Sequence, residues 1–379
     1  FIRSWFTYDS PSTHQFGFLY QQRASARPIV GNRRPSDVPA KWKVLINEPW
    51  DTTLETHQAL EDAGCELILG VPNWETTRPC YDEDQLAEMA RDADAVMGAS
   101  RERYTRKFFE SCPNLRTLSK YGIGTEKIDV DAATEAGVLV GYTPVPENVD
   151  SVCEYTLTLM LNLVKRLDQS RDFLREGGWR GADWMPAALG DLTVGLVGFG
   201  RIGQALAQRL TGWAGCVIAH DPFVPDDVFR AAGVEAAGLD ALLERSDVVT
   251  LHLVVTPQTR DLIGEEALRR MKPTAYLVNT SRGEVVDEDA VVRALRQGWI
   301  AGAALDVFRR EPPAMDHPLR SLPNAVLTPH FAWLTEGALR SMVRAAAENL
   351  LAALRGEVPR HLKNPEALPR WRERFGIPG

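Results

Sequence analysis

Three polar side chains in the second half of the chain could together oxidise a small hydroxy acid or reduce an oxo acid. Arg282 presents a planar guanidinium that can bind a carboxylate through two N–H groups and polarise the adjacent carbonyl oxygen. His330 carries an imidazole, which titrates near neutrality and can exchange the hydroxyl proton. Glu311 could fix the tautomer of that ring and favour its protonated form. We therefore predict Arg282, Glu311 and His330 as catalytic residues.

The elements that precede these residues must bring them together. Each follows a run typical of a buried strand: AYLV before Arg282, GAAL before Glu311 and AVL before His330. The carboxyl ends of parallel strands meet at one edge of a sheet, so the three segments can converge on one ligand. Taken singly, a salt-bridged arginine, a solvated glutamate and a packed histidine are the more common interpretations. The predicted convergence is what favours catalysis.

A glycine-rich turn earlier in the chain predicts a dinucleotide site. The run GFGRIG at 198–203 fits G-x-G-x-x-G, follows the strand-like TVGLV and opens the helix-like IGQALAQRL. Glycines there allow a tight turn and a close approach of the backbone to a pyrophosphate, and the helix N-terminus supplies N–H groups. The predicted cofactor-binding residues of this turn are Gly198, Gly200, Arg201, Ile202 and Gly203.

An acidic residue indicates which dinucleotide is bound. Asp221 ends the next predicted strand, 23 residues after Gly198. A carboxylate there can accept hydrogen bonds from a ribose 2′-hydroxyl and would repel a 2′-phosphate, so we predict NAD(H) rather than its phosphorylated form. We interpret the neighbouring His220 as structural. Thr280, which follows a predicted strand, is added to the cofactor-binding residues.

The composition limits the partners of the chain. Its 379 residues exceed one ordinary domain, and 44% hydrophobic with 25% charged residues is typical of a globular protein. A net charge of −8 argues against nucleic-acid binding, and no long uncharged apolar run predicts a membrane span. Five scattered cysteines indicate neither a disulfide framework nor a metal site, which fits a cytoplasmic location. We expect a small anionic substrate, no metal, no nucleic acid and no membrane.

Short β-rich runs alternate with helical segments from Trp42 onward. Four strand-loop units up to residue 124 indicate a small parallel-sheet domain. A long helical stretch over 147–179 leads into six further β-rich runs, and 335–355 fits an amphipathic helix that could return to the first domain. The predicted fold class is α/β, with two Rossmann-like doubly wound parallel-sheet domains and a cleft between them.

The domain boundaries follow from this pattern. The first forty residues are rich in Arg and Ser and poor in acids, which is compatible with a transit-type leader, a packed arm or a cloning remnant. The predicted domains are an N-terminal arm of unknown role at 1–41, a substrate domain at 42–146 with 334–379, and an NAD-binding Rossmann domain at 147–333.

Several stretches of the sequence resemble the D-isomer-specific 2-hydroxyacid dehydrogenase family. In chain order they are SKYGIGTEKIDVDAA, GFGRIG, NTSRGEVVDEDAV, ALDVFRREPP and NAVLTPH, and the resemblance covers about residues 43 to 355. It implies a substrate domain built from both chain ends, a central NAD domain, an active-site cleft between them and a homodimer. It also implies NAD-dependent action on a small D-2-hydroxy acid.

The functional positions of the family transfer onto matching residues. Its catalytic Arg, Glu and His match the three residues predicted above. Asp306 matches the acid that contacts the nicotinamide amide, and Thr256 lies in a loop that borders the cofactor. The carboxylate-binding loop, whose backbone N–H groups would face the substrate, matches Tyr121, Gly122, Ile123 and Gly124.

Details within the family resemble its phosphoglycerate dehydrogenase-like branch, namely SKYGIG, HDPF and Lys120. Lys120 could add a positive contact for a phosphorylated or phosphonate-bearing acid, or be solvated at a strand end. Trp333 stands three residues after His330, where many relatives have glycine, and could contact the substrate. Two other positions depart from the family pattern: Cys153 replaces an alanine and Arg309 an acid.

Two alternative functions are compatible with these motifs. NAD(H)-sensing corepressor-like binding proteins share the fold and resemble the enzymes in keeping the catalytic residues. Phosphite dehydrogenases keep them too, whereas formate dehydrogenases lack the acid partner of the histidine, so Glu311 argues against that relative. No basic tail or low-complexity segment supports the binding-protein alternative, and we therefore predict an enzyme.

Overall fold

A computed structural model describes most of the chain after the predicted N-terminal arm. The residues that it describes are 41–50, 55–72, 80–98, 101–181 and 185–378. The arm at 1–41 therefore lies outside the described residues, except for its last position. The chain divides into two compact units, one made of the residues up to 145 and those from 336 onward, the other of 146–335. The sequence predicted the first boundary after residue 146, one residue later than observed, and the second after residue 333, two residues earlier than observed.

The first unit is built on five parallel strands in the order β2-β1-β3-β4-β5. Strands β1 to β5 span Trp42–Ile46, Cys65–Leu69, Ala95–Gly98, Thr117–Lys120 and Leu139–Gly141. Only four of them were predicted from the sequence. A run as short as β5 carries little pattern, and its pairing with β4, Leu118 opposite Val140, is what defines it.

The second unit is built on seven parallel strands in the order β12-β11-β10-β9-β6-β7-β8. Strands β6 to β12 span Thr193–Val197, Cys216–His220, Glu235–Ala236, Val248–Leu251, Tyr276–Asn279, Gly302–Leu305 and Ala325–Leu327. The sequence predicted six and missed β8, an exposed pair of residues beside β7. The winding reverses between β6 and β9, so the switch point of a doubly wound sheet lies there.

Helices cover both sheets. Helices α1 to α13 span Glu55–Asp62, Glu83–Ala90, Arg106–Ser111, Val130–Glu135, Pro146–Lys165, Leu167–Arg175, Arg201–Leu210, Asp226–Ala231, Leu239–Arg245, Glu265–Arg270, Glu288–Gln297, Glu336–Leu354 and Leu368–Phe375. The prediction of one helical stretch over 147–179 is wrong. Arg166, with a positive φ of 52°, separates α5 from α6, and Gly177, with φ of 88°, follows the end of α6.

Buried strands and helix faces explain why the chain forms these layers. Strands β3, β9 and β11 are buried along their whole length, as expected for a sheet covered on both faces. Helix α12 completes the first unit, since Ser119 on β4 donates its hydroxyl to the carbonyl of Ala346 at 2.8 Å. Among the residues described, no helix is both long and apolar enough to cross a bilayer.

Candidate active site

The glycine-rich turn connects β6 to α7 at the switch point of the seven-stranded sheet. Gly198 has a positive φ of 96°, and its N–H donates to the carbonyl of His220 at 2.8 Å. A Cβ at Gly203 would lie 2.3 Å from the Gly198 carbonyl oxygen, so glycine is what lets α7 approach the strand. A Cβ at Gly200 would meet nothing within 4 Å. That open space at the N-terminus of α7 fits a dinucleotide pyrophosphate.

Asp221 directly follows β7 and holds the glycine-rich turn in place. Its carboxylate accepts the N–H of Phe199 at 2.9 Å and that of Phe223 at 3.0 Å. A carboxylate has acceptor capacity for about four hydrogen bonds, so the same group can also accept a ribose hydroxyl. Next to it, Nδ1 of His220 lies 3.0 Å from the carbonyl oxygen of Ala237, which supports the structural interpretation of that histidine.

Asn279, at the end of β10, shapes the segment that carries Arg282. Its Oδ1 accepts the N–H and the hydroxyl of Ser281 at 3.0 and 2.8 Å, and its Nδ2 donates to the carbonyl of Arg282 at 2.9 Å. A Cβ at Gly283 would lie 2.0 Å from the carbonyl carbon of Phe308. The Arg282 segment therefore packs directly against the backbone that follows β11. We did not single out Asn279 from the sequence, although its position at a strand end was visible there.

His330 and Glu311 form a direct pair. Nδ1 of His330 lies 2.9 Å from Oε2 of Glu311, whose other carboxylate oxygen accepts the N–H of Phe308 at 3.1 Å. The two side chains are 37% and 29% exposed, so the pair is partly open to solvent. In the described part of the chain, Nε2 of His330 has no hydrogen-bond partner. It is the ring atom left to exchange a proton with a ligand.

The buried carboxylate of Asp306 holds the segment of His330. Its Oδ1 accepts the hydroxyl of Thr328 at 2.6 Å and the N–H of Phe331 at 2.9 Å, and its Oδ2 accepts the N–H of Ala332 at 2.9 Å. The backbone carbonyl of Asp306 accepts the N–H of His330 at 2.7 Å. His330 itself has a positive φ of 58°, which is uncommon outside glycine. Burial raises the pKa of Asp306, whereas the hydrogen bonds that its carboxylate accepts act to lower it. In the structure Asp306 therefore holds the segment around His330 in place, and its contact with the nicotinamide stays a prediction.

Helix α5 supports both segments of the site. Thr156 Oγ1 lies 2.8 Å from Oγ1 of Thr280, so the hydroxyl of this predicted cofactor residue already has a partner. Ser151 donates its hydroxyl to the carbonyl of Ala332 at 2.8 Å. Burial raises the pKa of Tyr155, whose hydroxyl is hydrogen-bonded to Thr328. Sequence reasoning assigned this helix a buried face but no role at the site.

The remaining predicted positions of the second unit are spread around these segments. Thr256 follows β9, and its hydroxyl accepts the N–H of Thr259 at 3.2 Å, which closes a local turn. Arg201 is exposed and Ile202 half-buried in the first turn of α7, and Cys153 donates its thiol to the Ile202 carbonyl at 3.6 Å. Trp333 is half-buried. Their contacts with cofactor or substrate stay predictions.

The predicted substrate loop follows β4 in the first unit. Lys120 Nζ donates to the carbonyl of Tyr121 at 2.7 Å. Gly122, with φ of 86°, donates its N–H to the hydroxyl of Thr143 at 2.6 Å, and the N–H of Thr143 returns to the Gly122 carbonyl at 2.9 Å. Thr143, which sequence reasoning did not select, therefore sets the shape of this loop.

These bonds correct one part of the prediction. The N–H of Tyr121 donates to the carbonyl of Gly98 at 3.0 Å, and that of Gly122 is taken by a hydroxyl. The expectation that all N–H groups of the loop face a substrate is therefore wrong for these two residues. The N–H groups of Ile123 and Gly124 have no acceptor among the described residues, and Ile123 is exposed.

Comparisons with known proteins agree with this geometry. A family model described as "D-isomer specific 2-hydroxyacid dehydrogenase, NAD binding domain" matches residues 157–332. The chain is 42% identical over 291 residues to a glyoxylate reductase of Thermofilum pendens, which covers 75% of this chain and 85% of that protein. It is 37% identical over 330 residues to a D-3-phosphoglycerate dehydrogenase of Methanocaldococcus jannaschii, covering 86% of this chain and 60% of that protein.

Solved structures show the same fold. The TT0316 protein from Thermus thermophilus matches with a TM-score of 0.77 at 31% identity, over 85% of this chain and 99% of that one. A D-lactate dehydrogenase from Aquifex aeolicus, complexed with NAD and lactic acid, matches with a TM-score of 0.74 at 27% identity, over 85% and 98% of the two chains. The protein is an NAD-dependent oxidoreductase. It belongs to the D-isomer-specific 2-hydroxyacid dehydrogenase family, so the predicted pair of parallel-sheet α/β domains, the family and the cofactor are confirmed.

Proposed function

We propose that this protein reduces a small 2-oxo acid to the D-2-hydroxy acid, or catalyses the reverse oxidation, with Arg282, Glu311 and His330 as catalytic residues. The observation that carries the proposal is the pair in which Glu311 holds Nδ1 of His330 at 2.9 Å. One ring nitrogen is thereby oriented by a carboxylate, while Nε2 is left for the substrate. This is the arrangement that a general acid and base requires.

The residues divide the chemistry between them. Bound NADH supplies the hydride that adds to C2 of the oxo acid. Nε2 of His330 donates its proton to the oxygen on C2. Glu311 stabilises the imidazolium before this transfer and keeps the neutral ring in its orientation afterwards. In the oxidative direction Nε2 accepts the hydroxyl proton. Arg282 binds the carboxylate through its guanidinium fork and polarises the oxygen on C2.

The names of the relatives suggest which acids to test first. Some relatives are named for glyoxylate or for lactate, which are small and unphosphorylated. Others are named for a phosphorylated acid. In the first unit, the N–H groups of Ile123 and Gly124 suit a carboxylate. We therefore propose glyoxylate, hydroxypyruvate and pyruvate as first candidates.

The test is NADH oxidation by the purified protein across a panel of 2-oxo acids, including phosphorylated and phosphonate-bearing ones. A second assay measures NAD⁺ reduction with phosphite as the substrate. We expect rapid turnover of at least one 2-oxo acid, and we expect the His330→Ala variant to lose it while still binding NADH. Turnover of phosphite alone, or tight NADH binding without turnover of any acid, would contradict the proposal.

We also propose that the protein is a homodimer. In the described part of the chain α6 buries no side chain, yet it carries Leu167 and Leu174 on its exposed surface, and Trp179 follows it. Apolar side chains grouped on a surface favour contact with a second copy. Light scattering should give the mass of two chains, and Leu174→Glu should lower it towards one chain. A monomeric wild-type protein would exclude the dimer.

A further inference from the structure

Two buried carboxylates lie side by side in the first unit. Glu48 follows β1 and Glu102 follows β3, with exposures of 0% and 1%. Their side chains are hydrogen-bonded to each other. Glu48 also accepts the N–H of Arg101 at 2.7 Å, and Glu102 accepts Nδ2 of Asn47 at 3.0 Å and the N–H of Tyr81 at 3.3 Å. A hydrogen bond between two carboxyl groups needs one proton, so this pair carries one negative charge.

Lys120 supplies a positive charge that acts on this pair. Strands β1, β3 and β4 are neighbours in the sheet, and Gly98 at the end of β3 pairs with Lys120 at the end of β4. The Lys120 charge favours ionisation of Glu48, whereas Glu102 opposes it. Burial, the larger effect, raises the pKa of Glu48 to about 8. At neutral pH Glu48 therefore keeps its proton, as the hydrogen bond between the two carboxyl groups requires.

We propose that the Glu48–Glu102 pair is a counter-charge to Lys120 that restricts the substrate to singly charged 2-oxo acids and disfavours phosphorylated ones. This inference rests on the proposed function, in which Lys120 begins the substrate loop. A phosphate needs positive charge that is not already balanced, and the buried pair balances Lys120 inside a medium that screens charge poorly.

Hydroxypyruvate and 3-phosphohydroxypyruvate make a matched test, because they differ only in the phosphate. We expect wild-type protein to have the higher kcat/KM for hydroxypyruvate. The double variant Glu48→Gln/Glu102→Gln removes the negative charge but keeps groups that can hydrogen-bond. It should lower the KM for the phosphorylated acid about tenfold relative to that for hydroxypyruvate, the order expected for one unit charge near a protein surface. Glu66→Gln, an exposed position on β2, is the control and should change neither value.

A pH profile separates this role from a merely structural one. Above the pKa of Glu48 the pair gains a second negative charge, so the wild-type KM for the phosphorylated acid should rise faster with pH than that for hydroxypyruvate. Glu48→Gln leaves one ionisable carboxyl and should remove that difference. This single variant keeps the side-chain hydrogen bond, so it tests the inference even where the double variant fails to fold.

The outcomes distinguish the two proposals. If the protein reduces hydroxypyruvate but the folded double variant discriminates against the phosphate as wild type does, the counter-charge inference is wrong and the proposed function stands. A wild-type preference for the phosphorylated acid also overturns the inference. If no 2-oxo acid is reduced, the proposed function fails and the inference fails with it.

Discussion

Two histidine–glutamate pairs in the second unit look alike but differ in how they use the ring. Nδ1 of His330 lies 2.9 Å from Glu311, and Nε2 of His317 lies 3.2 Å from Glu288. His317 also uses its second nitrogen, since its Nδ1 accepts the N–H of Leu319 at 3.4 Å. Its side chain is 18% exposed, against 37% for His330.

The difference shows what makes one of these pairs suitable for proton transfer. A ring with both nitrogens bonded inside the chain has no position left for a substrate, so we interpret His317 as structural. His330 keeps Nε2 available, and Asp306 holds its backbone in an uncommon conformation. The same two residue types thus serve different ends because of the contacts around them.

Replacing each histidine in turn gives the largest expected contrast. His330→Ala should lower kcat about 10²- to 10⁴-fold, because the proton donor is lost. NADH binding, measured by fluorescence titration, should stay as in wild type, since the glycine-rich turn is untouched. His317→Ala should cost about 1 kcal/mol of the free energy of unfolding through its lost hydrogen bonds, with kcat close to that of wild type. Equal losses of kcat in both variants would show that the comparison is wrong.

Replacing each glutamate sharpens the same comparison. Glu311→Gln should lower kcat roughly ten- to a thousandfold, since an amide neither stabilises the imidazolium nor fixes the required tautomer. Glu288→Gln is the matched control and should leave kcat nearly unchanged. The measurement is steady-state turnover at saturating NADH and oxo acid. Full activity of Glu311→Gln would remove the carboxylate from the mechanism.

The pair of Glu48 and Glu102, which contains no histidine, should make the free energy of unfolding depend on pH. The folded-state pKa of Glu48, about 8, exceeds the ordinary value of 4.5, so the folded protein binds the extra proton between these values. The free energy of unfolding should therefore fall as pH rises through this window, by at most about 1.4 kcal/mol per pH unit. Urea titrations over this range test it, and Glu48→Gln should flatten the fall. Equal pH dependence in both proteins would contradict a buried protonated pair.

The smallest of these effects concerns the cofactor. Asp221→Asn keeps an oxygen for the N–H of Phe199 but removes the charge that would repel a 2′-phosphate. The ratio of kcat/KM for NADH to that for NADPH should narrow about tenfold, the order of one hydrogen bond to a charged group. An unchanged ratio would refute the ribose assignment, while the His330 comparison would stand.

Local rules were enough to determine much of this protein from its sequence. The spacing in GFGRIG predicts a tight turn and a helix N-terminus that a pyrophosphate can approach, and the structure has the turn at Gly198 and open space at Gly200. Strand-like runs before Arg282, Glu311 and His330 predicted three strand ends at one sheet edge, and the observed strands β10, β11 and β12 are neighbours. Such features depend on short stretches of chain, so a single sequence carries them.

Only the tertiary structure decided the rest, because the contacts involved join distant parts of the chain. Strand β5 is defined by its pairing with β4, and the N–H of Gly122 is taken by Thr143, 21 residues away. Glu48 and Glu102 stand 54 positions apart and meet because β1 and β3 are adjacent in the sheet. Burial and long-range pairing set the protonation of that pair, and no local spacing encodes either.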